Sequence, residues 1–266
     1  MISNILISVD DIKYLNDYRK VGVSAFLFAL EDFSVGYKTF SLAEIKKIDV
    51  SNKYIFINRI LDCHDIDKLK NIITSLNGIK GIVYEDIGVY NLIKEAKIDI
   101  ELIFFQNHFG TNTSSVNYWL DKVDSIFLSS EITEDEIKNI VKNAKKSVCL
   151  LLYGYNQVMY SRRLLLKNWS EEFNIPYKNY NFITDKATKV SFRAYENKYG
   201  TVMYSENIYN AKSLIKLKNI KYFYVNPTMI EHKKVMNFLN TYNISNGEDD
   251  GFLNRKTIYK LKGGSK

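Results

Sequence analysis

The stretch CLLLYGYNQVMYSRRLLLKNW, residues 149–169, decides how the chain is read. It begins inside a wholly apolar run, residues 148–152, of the kind a parallel strand covered on both faces requires. The chain is then expected to turn abruptly through Tyr153-Gly154-Tyr155-Asn156-Gln157. It ends in a cationic segment holding Arg162, Arg163 and Lys167. Apolar strand, glycine-containing turn, then basic and hydroxyl side chains is the order in which a buried strand delivers a loop to a binding face.

Working outward, strands are expected at 4–8, 24–30, 53–60, 80–85, 100–106, 124–129, 147–153 and 221–225, with helical stretches between most of them. Asp10 or Asp11, and Ser41, can cap the first helices, because a short oxygen side chain accepts the orphan N–H groups of a first turn. Thr133 with Glu136, and Thr228 with Glu231, read as capping boxes. Strand and helix in near-strict alternation give parallel strands. Eight such units favour a TIM-barrel-like (β/α)8 over an open doubly wound sheet, although periodicity does not show closure. Residues 155–220 break the alternation between strands seven and eight. Within them, 189–195 alternates, Glu196-Asn197-Lys198 reads as a turn, and 199–204 returns. A β-hairpin inserted over the barrel mouth is expected there. One α/β barrel domain would then span 1–244, with 245–266 as a C-terminal strap and tail.

The chain has 266 residues, 46% hydrophobic and 25% charged, an ordinary globular balance. A net charge of +7 favours an anionic partner such as RNA, and the general Ile/Asn/Lys/Tyr bias accounts for it equally well. Cys63 and Cys149 form neither a CxxC nor a Cys/His cluster, which suits a reducing cytoplasm. The N-terminal apolar run is short and is followed at once by Asp10 and Asp11, unlike a signal peptide. No apolar run approaches the roughly 20 residues of a membrane span. GxGxxG, Walker A, HExxH and GxSxG motifs are missing from the sequence.

In such a barrel the functional face lies at the carboxyl ends of the strands. That rule selects Glu31, Asn58, Arg59, Glu85, Asp86, Gln106, Asn107, His108, Ser130, Glu131, Tyr153, Tyr155, Asn156 and Asn226. Glu85 and Asp86 are adjacent, so the pleat aims only one of them into the mouth. A strand-end carboxylate more often caps a helix than meets a ligand. His108 can serve as a base or ligand, or simply as a hydrogen-bonding loop residue. Arg162 and Arg163 can clamp a small anion, or form a solvated basic turn. No nucleophile–base pair stands out, and Ser161 beside two arginines lacks one.

Several segments together resemble peptidase family U32. Leu128-Ser129-Ser130-Glu131-Ile132-Thr133-Glu134-Asp135-Glu136-Ile137 is similar to its LSRELSLEEI signature. Tyr153-Gly154 through Met159-Tyr160-Ser161-Arg162-Arg163 resembles HGALCVSYSGRC, and Arg193 to Thr201 resembles YPVxEDEYGTH. Gly251-Phe252-Leu253 matches a C-terminal GFL, and Thr111-Asn112-Thr113 with Asn117-Tyr118-Trp119 is similar to TNYYTCNYW of short family members. The resemblance implies a TIM-barrel-like fold. It adds Ser161 and Arg193 to Glu31, Glu85, Asn107, His108, Glu131, Tyr153, Arg162 and Arg163 as candidate ligand-binding residues.

The family includes proteins called peptidases or collagenases, and others that support hydroxylation of RNA or ubiquinone precursors. The RNA group makes 5-hydroxyuridine at the tRNA wobble position with prephenate, and many members hold an iron–sulfur cluster on four cysteines. Here the two cysteines of the related segment fall at Gln157 and Leu164, and its histidine at Tyr153. The resemblance therefore implies a short member without an iron–sulfur cluster, partnering a longer, cluster-bearing paralogue and tRNA. A U32-type peptidase and a non-catalytic scaffold for the paralogue are the alternatives.

Overall fold

The computed structural model describes residues 4–106 and 108–255. Its strands are β1 (Ile5–Ser8), β2 (Ala25–Leu30), β3 (Thr39–Phe40), β4 (Lys53–Ile57), β5 (Gly81–Tyr84), β6 (Glu101–Phe104) and β7 (Ser125–Ile126). They continue with β8 (Val148–Ser161), β9 (Tyr180–Thr184), β10 (Ser191–Asn197), β11 (Gly200–Asn210), β12 (Ile220–Val225) and β13 (Glu248–Asp249). The helices are α1 (Leu15–Lys20), α2 (Leu42–Lys47), α3 (Cys63–Ile73), α4 (Ile87–Glu95), α5 (Thr113–Leu120), α6 (Glu134–Asn143), α7 (Leu165–Glu172) and α8 (His232–Thr241). The fold is α/β, with a mostly parallel central sheet and these eight helices among the described residues.

Parallel pairing runs through β7-β6-β5-β4-β2-β1-β12-β8. Past the end of β7, Phe127 bridges Cys149 in parallel, and the N–H of Leu128 donates to the Cys149 carbonyl at 2.8 Å. The last strand of the path thus meets β8. Alternate residues feed two cores. Leu6, Leu27, Phe56, Val83, Ile103, Phe127, Cys149 and Tyr224 gather on one face of the strands. Ile7, Phe28, Ile55, Ile82, Leu102, Leu150 and Phe223 join helix residues Leu69, Val89, Ile137 and Val235 on the other. Burial on both faces is why these strands read as apolar runs rather than alternations.

Local chemistry fixes the helix starts. Ser41, Asp62 and Thr133 each accept an N–H three residues on, and Glu44, Asp65 and Glu136 return the bond as capping boxes. The expected box of Thr228 with Glu231 does not form. Glu231 itself is the N-cap of α8 and makes no side-chain cap bond. Thr228 is spent in a turn, its N–H on Asn226 Oδ1 at 3.2 Å and the Ile230 N–H on the Pro227 carbonyl at 2.9 Å.

A second correction concerns β8. The chain does not turn at 153–157; the strand continues to Ser161 and pairs antiparallel with β11. β11 continues into an antiparallel ladder with β10 and β9, joined at Asn197–Gly200. Gly154 permits this passage. Its φ of 144° is foreign to other residues, and a Cβ there would lie 2.7 Å from Asn226 Cβ. The segment 245–251 is no free loop, because β13 pairs with β11 and Glu248 is almost fully enclosed. Of the strap, Leu253 is buried and its carbonyl accepts the Glu134 N–H at 3.0 Å. Residues 1–3, Asn107 and 256–266, with the rest of the expected strap and tail, lie outside the described residues.

Candidate functional site

A cavity of about 140 Å³ opens at the carboxyl ends of the parallel strands. Its lining comes from residues just past β5 (Glu85), β6 (Phe105, Gln106), β7 (Leu128, Ser130) and β12 (Asn226), and from residues 155–160 of β8. The pleat explains which side chains arrive. Val83 belongs to the face shared with Phe56 and Ile103, so Glu85, two residues on, follows it inward. Asp86 faces the other way and caps α4, accepting the Gly88 N–H at 2.8 Å and the Leu61 N–H at 3.1 Å.

Glu85 makes no side-chain hydrogen bond among the described residues, and burial alone pushes its carboxyl up to about 8. The Asn156 side-chain oxygen in the same lining is also buried without a partner. Around Glu85 the tyrosines are held in the neutral form. Burial raises Tyr37 and Tyr204 well above the ordinary phenol range and Tyr224 to about 12, and it raises Tyr160 as well. A second hollow, lined by Arg59, Asp86 and Phe109 among others, shares Glu85 with the first.

The ladder is tied over these strand ends. Lys198 and Tyr199, in the β10–β11 turn, both bond the Asp32 carboxylate after β2, which holds that carboxyl below its ordinary range. Arg59 packs on the Tyr199 ring at 3.9 Å and pairs with Asp65 at 2.9 Å.

The expected site residues separate. Glu85 and His108 line the cavity; His108 is exposed at its rim, with Nδ1 3.8 Å from the Glu131 carboxylate. Glu31 is exposed, and its N–H donates to the Phe40 carbonyl at 2.9 Å. Ser161 Oγ accepts the Arg163 N–H at 3.1 Å, and Arg162 pairs with Asp62 at 3.1 Å. Arg163 is exposed. Arg193 donates to Tyr180 at 2.9 Å and lies over the Tyr155 ring at 4.4 Å, behind the cavity wall. Tyr153 points away, stacked on Phe238 at 4.0 Å with its hydroxyl donating to Glu248 at 2.8 Å. A register shift between Leu151 and Tyr153 carries it to the helix-facing side, and one extra residue flips every side chain beyond it.

Tyr37, Tyr160 and Tyr224 are lining residues beyond those selected from strand ends. Tyr224 was legible as the inward parity of β12; Tyr37 lies in the β2–β3 connection, where no pattern marks it.

A four-cysteine cluster needs four thiolates. The chain has two cysteines, Cys63 exposed on α3 and Cys149 buried in β8, beside Ser125 at 3.4 Å. Burial pushes the Cys149 thiol up to about 12. Gln157 and Leu164 supply no thiolate, so the donor set does not fit such a cluster.

The model for peptidase family U32 matches residues 11–247. The chain belongs to peptidase family U32. tRNA hydroxylation protein P2 of Bacillus subtilis (strain 168) is 24% identical over 205 residues, 71% of this chain and 66% of that protein. This U32 chain therefore spans just under two thirds of that relative's length. The structure of the U32 peptidase Mk0906 superposes with a TM-score of 0.52 at 8% identity, covering 84% of this chain and 92% of that one, a likeness of fold. The Bacillus cereus spore cortex-lytic enzyme SleL gives 0.45 at 12% identity, covering 89% and 74%.

Proposed function

We propose that this U32 chain is a subunit in tRNA wobble-uridine 5-hydroxylation, working in the cytoplasm beside a longer, cluster-bearing paralogue. The observation that carries the reading is a pairing: similarity to a tRNA hydroxylation protein in a chain with two cysteines, one of them buried and protonated. Redox chemistry then falls to the partner, and this chain contributes a ligand cavity and an RNA surface.

The fold enters this reading as a TIM-barrel-like (β/α)8, with the β10–β11 hairpin inserted between the seventh and eighth barrel strands. The Phe127–Cys149 bridge supports closure. The RNA surface is assigned to residues 162–193, which hold seven cations against three acids. Trp169, Phe173, Tyr177 and Phe182 are exposed in the same segment, and single-stranded RNA is bound by basic surface with stacking rings. Prephenate is the co-substrate of the assembly. The described cavity lining carries no Lys or Arg, so its carboxylates are left to the paralogue.

A peptidase would need an activated nucleophile. The Ser161 hydroxyl meets a backbone N–H instead of a base, which weighs against that reading. No helix among the described residues is long and apolar enough to cross a membrane. The test is deletion of this chain alone, with 5-hydroxyuridine measured in purified tRNA by mass spectrometry. Loss of the modification is expected; unchanged modification sinks the proposal.

A further inference from the structure

We propose that the cavity at the strand ends is a site for one uncharged six-membered ring carrying adjacent hydrogen-bond donor and acceptor, a pyrimidine base being the type, with the Glu85 carboxyl and the Asn156 amide reading its edge. The inference deepens the reading above by placing a base in this chain's own cavity, and it is argued from the walls of that cavity.

Size comes first. The cavity measures about 140 Å³. A cavity of about 150 Å³ holds one benzene, so one ring fits within it. Shape and polarity follow. Phe105, Tyr155 and Tyr224 supply aromatic wall, while Gln106, Asn156 and Asn226 supply amide edges. Glu85 has no partner and the Asn156 oxygen is buried without one. Buried polar groups are ordinarily satisfied, and the orphan Asn156 oxygen beside the half-buried, unbonded Glu85 carboxyl marks where a ligand's polar atoms belong. Turning the Asn156 amide over would only exchange an orphan acceptor for an orphan donor.

Charge disfavours anions in this cavity. Among the described lining residues Glu85 and His108 are the ionisable groups other than tyrosine, and no Lys or Arg faces inward. Burial without a cation keeps Glu85 protonated at neutral pH. A protonated carboxyl offers one O–H donor and one carbonyl acceptor, the pair that matches an amide-like ring edge. An ionised Glu85 would lose the donor and repel electron-rich acceptors.

The groups around Glu85 leave its titration distinct. Tyr37, Tyr160, Tyr204 and Tyr224 are all raised and stay neutral. Towards the second hollow, Arg59 is engaged by Asp65, and Asp86 by the N–H groups of Gly88 and Leu61. His108 sits exposed at the rim beside Glu131.

The experiment is calorimetric titration of the isolated chain with uridine and with benzoate, a ring of similar size carrying a negative charge. Wild type should bind uridine, with affinity falling about tenfold between about pH 7 and about pH 9 as Glu85 loses its proton. Glu85→Gln keeps a donor and an acceptor, so it should bind at neutral pH with no such fall beyond the ligand's own titration. Glu85→Ala should lose at least about tenfold in affinity, with circular dichroism checking its fold. His108→Gln should leave the midpoint of the wild-type profile in place. Benzoate should bind more weakly than uridine throughout. Absence of uridine binding, tighter binding of benzoate, coincident profiles for wild type and Glu85→Gln, or a midpoint that moves with His108 would each overturn the site. Any of these with the deletion strain still lacking 5-hydroxyuridine would leave the assembly reading standing, and the reverse pattern would leave the site standing without it.

Discussion

Glu196, in the turn-end of β10, accepts the backbone N–H of Leu166 at 2.7 Å and that of Lys167 at 3.0 Å. The first turn of α7 has no capping side chain of its own, so a carboxylate thirty residues on supplies the missing acceptor. Its negative charge also meets the positive end of the helix. The same carboxylate accepts the Thr201 hydroxyl, and Glu196 is 1% exposed. Glu196→Ala should therefore cost about 2–4 kcal/mol, because it strands the buried Leu166 N–H and the partly buried Lys167 N–H at once. Urea denaturation checks it. An effect below about 0.5 kcal/mol would show that the turn does not hold α7.

Glu85 makes stability depend on pH in an unusual direction. Its folded carboxyl titrates near 8, above the ordinary glutamate value of 4.5. Between those two values the native state binds the extra proton, so its contribution to stability falls as pH rises and is flat above about 8. The slope from this one group is at most about 1.4 kcal/mol per pH unit. Thermal melts of wild type and Glu85→Gln should diverge from about pH 5 to about pH 8, the variant gaining relative to wild type. Parallel curves across that window would place Glu85 in solvent.

Gly154 is the third handle. Alanine there combines a φ of 144° with a contact of 2.7 Å to Asn226. Roughly 1–3 kcal/mol of backbone strain is expected, with the clash in addition. A melting temperature within a degree or two of wild type would contradict the close approach of β8 to the β12–α8 connection.

Cysteine reactivity is the cheapest test. Cys63 is exposed, while Cys149 is enclosed with its thiol pushed up to about 12. Only thiolates react readily, so a maleimide should label one thiol in the native protein and two after denaturation. Peptide mapping should locate the first label at Cys63.

The alternation of apolar strands and capped helices was legible because both faces of each parallel strand are buried and the starts of α2 to α6 carry their own acceptors. Thr133 and Glu136 show this directly: the sequence pattern and the observed bonds coincide. Three features were not legible. The passage of β8 through Tyr153-Gly154-Tyr155 looks like a turn in sequence, because only the pairing with β11, distant in the chain, makes it a strand. The outward flip of Tyr153 depends on a register shift, which leaves no compositional trace. The Thr228–Glu231 pair has the right spacing, yet the Pro227 turn delays the helix past it. At the site, strand-end logic selected Glu85 together with Asp86 by their place after β5, and the face of Val83 in the structure decides between them. That logic could not separate Glu85, which enters the cavity, from Glu31, which stays in solvent, because that difference arises from how neighbouring loops fold over.

β8 joins the parallel and antiparallel parts of one sheet along one unbroken backbone. Its first residues pair in parallel with β12, its last residues pair antiparallel with β11, and residues 155–160 of that antiparallel part form a wall of the cavity. No loop stands between the ladder and that wall to absorb a displacement. A macromolecule seated on β9–β11 and a small ring held against Tyr155 would therefore meet along the same strand, and a displacement caused by one would reach the other through its backbone.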